Sequence, residues 1–189
     1  MNEFQIELKN SIERFRLDQI EPQAEHDDAN ESFRKEVFQG LGELGVCGMT
    51  IAEEHGGLGL GYTDLCIALE EIAKSSVSYA VTISVSLMVQ GIIQKFGNDE
   101  QKKKYLPDLT SGQEIGAFCL SESNSGSDAK AMTTTAKKVE GGYILNGAKM
   151  WISNAPFADV AVVWAKDESG RIHGLLVERG MEGFSTPTT

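Results

Sequence analysis

Apolar residues recur with a helical period through the first part of the chain and then switch to alternation. Phe4, Leu8, Ile12, Phe15 and Ile20 share one face, which predicts a helix over 4–20 that Pro22 ends. Residues 23–30 read as an acidic linker. A second helix over 31–44 turns Phe33, Val37, Phe38, Leu41 and Leu44 inward and stops at Gly45. A third, over 63–75, has Thr63 as its cap and Leu65, Ala68, Leu69 and Ile72 as its stripe. The segment 80–96 is the most apolar, and Asn98 followed by Asp99 and Glu100 opens another helix. Pro107 and Gly112 mark a boundary. Beyond it, strands are expected near 115–121, 132–139, 143–145, 149–153, 160–166 and 172–178. Turns fall at Glu140-Gly141-Gly142 and Asp167-Glu168-Ser169-Gly170, and Asn146-Gly147 is a two-residue hairpin signal leading into a return strand at 149–153. The order is α+β: an all-α domain over 1–113, then a β domain over 114–189.

Composition narrows the classes. The chain has 189 residues, and 28 acidic against 17 basic side chains give a formal charge of −11, which argues against a nucleic-acid partner. Cys47, Cys66 and Cys119 are too far apart for a metal pattern or a disulfide framework, so a reducing compartment is expected. Met1-Asn2-Glu3 opens a polar amphipathic stretch and not a signal peptide. The apolar run 77–93 is broken by Ser, Thr and Gln; it reads as short and polar for a membrane span and fits a buried helix. The glycine-rich stretch 51–61 lacks both the G-x-G-x-x-G spacing and a following Lys-Ser/Thr, so it is a connector and not a phosphate loop.

The chemistry concentrates between Phe118 and Asn154. Phe118 and Leu120 alternate with Cys119 and Ser121, and the small polar run Ser121-Glu122-Ser123-Asn124-Ser125-Gly126-Ser127-Asp128 follows. Hydroxyls, free amides and a glycine fit an anion-binding turn. They fit a solvated serine-rich loop as well. Trp151 beside Ser153 can stack on a flat ring and hydrogen-bond its edge, or can equally be a core tryptophan.

Two motifs go further. Ser121-Glu122 with Ser125-Gly126-Ser127-Asp128 is similar to the T-E-x-x-x-G-S-D signature of the acyl-CoA dehydrogenase family, and Asn146-Gly147-x-Lys149-x-Trp151-Ile152-Ser153-Asn154 to its N-G-x-K-x-W-I-[ST]-N signature. The spacing between the motifs also fits, and the resemblance covers essentially the whole chain. It implies a helical domain followed by an incomplete antiparallel β-barrel domain, with FAD as cofactor. Phe118, Leu120 and Ser121 would line the isoalloxazine. Gly126 and Ser127 would approach the cofactor, Ser127 also touching the acyl-CoA. Trp151 and Ile152 would pack at the flavin, with the Ser153 hydroxyl at its N5 side. Val81, Ser84 and Met88, which share a helix face, would line the acyl-chain cavity. Ser121 and Ser153 stand where many members carry Thr, which keeps the hydroxyl. Ser123 replaces the usual Pro and loosens the turn.

The implied reaction is α,β-dehydrogenation of an acyl-CoA, with electrons handed to an electron-transfer flavoprotein. The chain ends at Thr189 within the β region, whereas family members continue into a C-terminal four-helix domain that supplies the glutamate base. None of the acids here matches that base, so these residues alone are expected not to turn over. The pattern looks most like the glutaryl-CoA dehydrogenase branch. That branch holds a second carboxylate with an arginine, and counting on from Glu71 reaches Ser78 and Tyr79 instead. A short or branched uncharged acyl-CoA is therefore expected. Full-length members are usually homotetramers, located in bacterial cytoplasm or the mitochondrial matrix. Two other readings stand beside this one: a flavin oxidase or monooxygenase on the same fold, and a non-catalytic truncated relative.

Overall fold

The computed structural model describes residues 1–187, which divide into two compact units, Met1–Glu114 and a second from Ile115 onward. The first is helical: α1 (Glu3–Phe15), α2 (Ala24–Ala29), α3 (Lys35–Glu43), α4 (Tyr62–Ala73), α5 (Val77–Phe96) and α6 (Asp99–Thr110). Reciprocal capping boxes open α1, through Asn2 and Gln5, and α6, through the expected Asn98 with Gln101. Ile12, Phe38, Leu41, Ile72, Ile83 and Leu106 are fully buried, so the predicted stripes face one core. Gly45 closes α3 in the left-handed conformation at φ +78°.

Local rules gave way to tertiary contacts at several points. Pro22 does not end the first helix. A π-helical turn (Arg16–Ile20) and a 3₁₀ turn (Glu21–Gln23) carry it into α2, where the sequence read as a linker. The reason lies in polar contacts. Arg16 is buried and reaches Glu71 (3.2 Å), Glu21 (3.0 Å) and the Ser75 hydroxyl (2.7 Å), and Arg34 clamps Asp27 at 2.7 Å. Helix α3 starts at Lys35, leaving Phe33 in a loop against Tyr79, with ring centroids 5.1 Å apart. The cap of α4 is Gly61 and not Thr63, because the Asp64 carboxylate accepts from the Gly61 amide at 3.2 Å. Pro107 lies inside α6, and the helix stops at the left-handed Gly112. By length and composition alone α5, at 20 residues, could cross a membrane, contrary to the reading of its apolar run as too short and polar. Its buried Tyr79, Ile83, Leu87 and Ile93 make it a core helix of this unit.

The second unit is a five-stranded sheet of β1 (Gly116–Cys119), β2 (Thr135–Val139), β3 (Gly142–Asn146), β4 (Val160–Lys166) and β5 (Ile172–Glu178). The α+β class holds, but the sheet is mixed and not the antiparallel barrel expected. β4 is central, parallel to β1 (Phe118 beside Val162) and antiparallel to β5, and it touches β2 only at Lys166–Thr135. Parallel pairing needs a long crossover, and the segment between β1 and β4 provides it. β4 is correspondingly buried along almost its full length. The two-residue hairpin turn is Glu140-Gly141, with Gly141 at φ +82°, joining β2 to β3. Asn146-Gly147 makes no hairpin, and residues 149–153 form no strand.

Candidate functional site

The crossover holds both motifs. Glu122 and Ser125 exchange backbone hydrogen bonds (2.8 and 3.2 Å), and the Ser125 hydroxyl donates to the Asp128 carbonyl at 2.8 Å. The serine-rich run is thus a closed turn that leaves Gly126 and Ser127 exposed. Gly126 has an ordinary φ, and a Cβ there would meet nothing within 4 Å. The fold itself does not require a glycine at this position.

Under the turn lies a buried carboxylate. Glu122 is 3% exposed and accepts from Lys149 Nζ (2.8 Å), the Thr133 amide (2.6 Å) and hydroxyl (2.7 Å), and the Thr134 amide (3.0 Å) and hydroxyl (2.5 Å). Burial opposes its ionisation, but the Lys149 ammonium and the threonine donors outweigh burial and hold the carboxyl well below its usual range. Lys149 also donates to the Leu120 carbonyl at 3.0 Å. The glutamate of the first motif and the lysine of the second are therefore one ion pair, and the pair joins the two segments. Sequence reading passed over both residues. The signal available was their fixed place inside the two motifs.

The second segment is also pinned at its ends. The Met150 amide donates to the Ser121 carbonyl (2.9 Å), and the buried Asn154 donates from Nδ2 to the Gly116 carbonyl (2.9 Å). Between these anchors Trp151 adopts φ +57° and Asn154 φ +70°, left-handed values uncommon for residues other than glycine. The left-handed backbone turns Trp151 outward, 84% exposed, so it is not a core tryptophan. Ile152 points the other way and packs on a core of Ala117, Cys119, Ala158, Ala161, Val163 and Val177. Ser153 is exposed and Ser121 half-buried. Phe118 sits edge-on to Trp164, with centroids 5.9 Å apart, and Trp164 Nε1 is buried without a partner among the described residues.

The structure thus joins the segment carrying Phe118, Leu120 and Ser121 to the one carrying Trp151, Ile152 and Ser153, and places Gly126 and Ser127 on the turn of the same crossover. Val81, Ser84 and Met88 belong to the helical unit. There Val81 (40%) and Met88 (47%) are exposed on α5, and the Ser84 hydroxyl donates to the Val81 carbonyl at 2.9 Å. Cys119, next to Phe118, is buried, and burial pushes its thiol up to about 11.

Comparison with known proteins identifies the family. Residues 2–113 match the family model for the acyl-CoA dehydrogenase N-terminal domain, and residues 117–189 match that for the middle domain. Mitochondrial isovaleryl-CoA dehydrogenase of Arabidopsis thaliana is 45% identical over 190 residues, covering 96% of this chain and 46% of that protein. The chain spans about half the length of the curated relatives it matches. Among solved structures, an acyl-CoA dehydrogenase complexed with FAD from Bacillus anthracis superposes with a TM-score of 0.91 at 35% identity, over 100% of this chain and 33% of that one. A glutaryl-CoA dehydrogenase from Mycobacterium smegmatis in complex with FADH2 gives 0.93 at 31% identity, over 98% of this chain and 48% of that one. Both domain models, meeting at the boundary between the two units, show that the chain belongs to the acyl-CoA dehydrogenase family.

Proposed function

We propose that these residues form the flavin-facing wall of an FAD-dependent dehydrogenase acting on a short or branched acyl-CoA, with an electron-transfer flavoprotein as the acceptor. The observation that carries the proposal is Trp151: a large aromatic side chain on left-handed backbone, 84% exposed and held between two hydrogen-bonded anchors. Exposing an indole on costly backbone gains nothing in the protein alone, and it suits stacking on a flat ring. The donor set fits FAD as well. Ser121, Ser127 and Ser153 offer hydroxyls, and Gly126 leaves room for close approach where the fold needs none. The relatives complexed with FAD and FADH2 support the same cofactor.

FAD, when bound, would supply the redox chemistry of the dehydrogenation. The chain contributes orientation. Trp151 would pack on the ring, Phe118 would line it, the Ser153 hydroxyl would offer a hydrogen bond at the ring edge, and Ser121 and Ser127 would bind polar groups. Exposed Ser78 and buried Tyr79, whose phenol is tied to the Arg34 backbone, put no cation at the start of α5, which favours an uncharged acyl group. The isovaleryl-CoA dehydrogenase relative supports a branched one.

Dehydrogenation also needs a carboxylate free to take the α-proton. The buried Glu71 and Glu122 are committed to Arg16 with Lys74 and to Lys149. We therefore expect this chain to retain flavin without turning over. The test is gel filtration after incubation with FAD, read by visible absorption. A co-eluting flavin band, abolished by Trp151→Ala with Ser153→Ala, supports the proposal. No band, or a band indifferent to the double change, refutes it. Acyl-CoA dehydrogenase activity of the 189 residues alone would overturn the claim about the base.

A further inference from the structure

We infer that Glu122 and Lys149 are the positioning pair of this site: a buried clasp that locks the Trp151 segment onto β1 and polarises the peptide that faces the cofactor. Neither residue matches a contact position, and both are buried, with side chains 2% and 8% exposed. What they share is reach. Lys149 Nζ spends two of its three donors on Glu122 (2.8 Å) and on the Leu120 carbonyl (3.0 Å). The glutamate is in turn fixed by Thr133 and Thr134, which lead into β2. One residue from Lys149, the Met150 amide binds the Ser121 carbonyl, and one residue further Trp151 takes its left-handed turn. The ammonium thus holds the register that sends Trp151 outward.

The second effect is electrostatic. The Leu120 carbonyl and the Ser121 N–H belong to the same peptide unit. An ammonium on the carbonyl side draws electron density from the amide and makes its N–H a stronger donor. A donor strengthened in this way favours an electron-rich ligand edge. The ligand part of the inference rests on the FAD reading, and the clasp does not.

The experiment measures two quantities on the full chain: amide hydrogen exchange at Met150 and the dissociation constant for FAD. Lys149→Met removes both bonds at nearly constant length. Met150 exchange should rise about tenfold or more, and FAD affinity should fall about tenfold, the scale of one lost charge-assisted hydrogen bond. Lys149→Arg should restore most of both. Thr134→Val removes one hydroxyl from Glu122 without touching Lys149. It should lower the melting temperature yet leave Met150 exchange and FAD affinity near wild type, which a merely structural role for the pair does not allow. If Lys149→Met does not fold, Lys149→Gln, which loses the charge but keeps an amide donor group, carries the comparison. Unchanged Met150 exchange in Lys149→Met, or in Lys149→Gln where that variant replaces it, overturns the clasp, as does an equal response to Thr134→Val. Failure of the wild-type chain to bind FAD, with Met150 exchange still rising in Lys149→Met, overturns the flavin reading and leaves the clasp standing.

Discussion

Gly147 offers the sharpest test of how the crossover is built. Its φ of +153° lies where side chains are rarely tolerated. A Cβ built there would stand 2.5 Å from Thr134 Oγ1 and 2.7 Å from Thr134 Cα. The Cα is backbone and cannot swing aside, and the hydroxyl is engaged with Glu122, so relief at Thr134 costs that hydrogen bond. Strained backbone costs about 1–3 kcal/mol, and forced overpacking costs about 1–3 kcal/mol more. Gly147→Ala should therefore destabilise the second unit by roughly 3–5 kcal/mol, a large share of the ~5–15 kcal/mol that holds a typical domain together. Urea unfolding followed by tryptophan emission isolates the effect, because Trp151 and Trp164, the chain's two tryptophans, both lie in that unit. With a slope of about 1.5 kcal/mol/M the midpoint should fall by about 2 M or more. Gly141→Ala is the control. Its φ is +82° with open space around the new Cβ, so only the left-handed penalty of about 1–2 kcal/mol applies. If Gly147→Ala costs no more than Gly141→Ala, the close approach to Thr134 does not constrain the crossover and the reasoning fails.

Trp151→Gly should stabilise the second unit by about 1 kcal/mol, by relieving the left-handed strain of an exposed residue, while abolishing flavin retention in gel filtration. Glu122 gives a pH signature. Its folded pKa is depressed, so its contribution is complete above the ordinary carboxylate value of about 4.3 and is lost as pH falls below it. Urea midpoints between pH 6 and 3 should show a fall that Glu122→Gln flattens. Burial pushes the Cys47 thiol up to about 12 and the Cys119 thiol up to about 11, whereas Cys66 is exposed. A thiol reagent at pH 8 should therefore label one cysteine per native chain and all three after unfolding.

Where burial drives an element, its pattern was legible. The stripes of α3 and α4, the apolar composition of α5 and the apolar run of β4 are all readable along the chain. Helix α2 was illegible because Glu25, His26, Asp27 and Asp28 carry no stripe, and its order comes from Arg34 on Asp27 instead. The return strand at 149–153 misled for the opposite reason. Met150, Trp151 and Ile152 are good strand residues, yet left-handed Trp151 and Asn154, set by hydrogen bonds from distant residues, override their preference. The parallel union of β1 with β4 leaves no local trace at all. Of the candidate site, the motifs point to residues such as Trp151 and Ser153, while the buried Glu122–Lys149 pair became visible only in three dimensions.

The position of β4 also sets an order in time. β2–β3 and β4–β5 are hairpins whose partners lie close along the chain, so each can form early. β1 can join only after the entire crossover has been made and Val160 onward is available, and closing so long a loop carries the larger entropic cost. The surface carrying Phe118, Ser121 and Trp151 is therefore expected to be the last part of its unit to consolidate. In refolding, substitutions in the β4–β5 turn should slow folding, whereas substitutions that loosen the crossover should speed unfolding. A sheet that recruits its first strand last keeps the groups of that surface scattered until the remainder is in place.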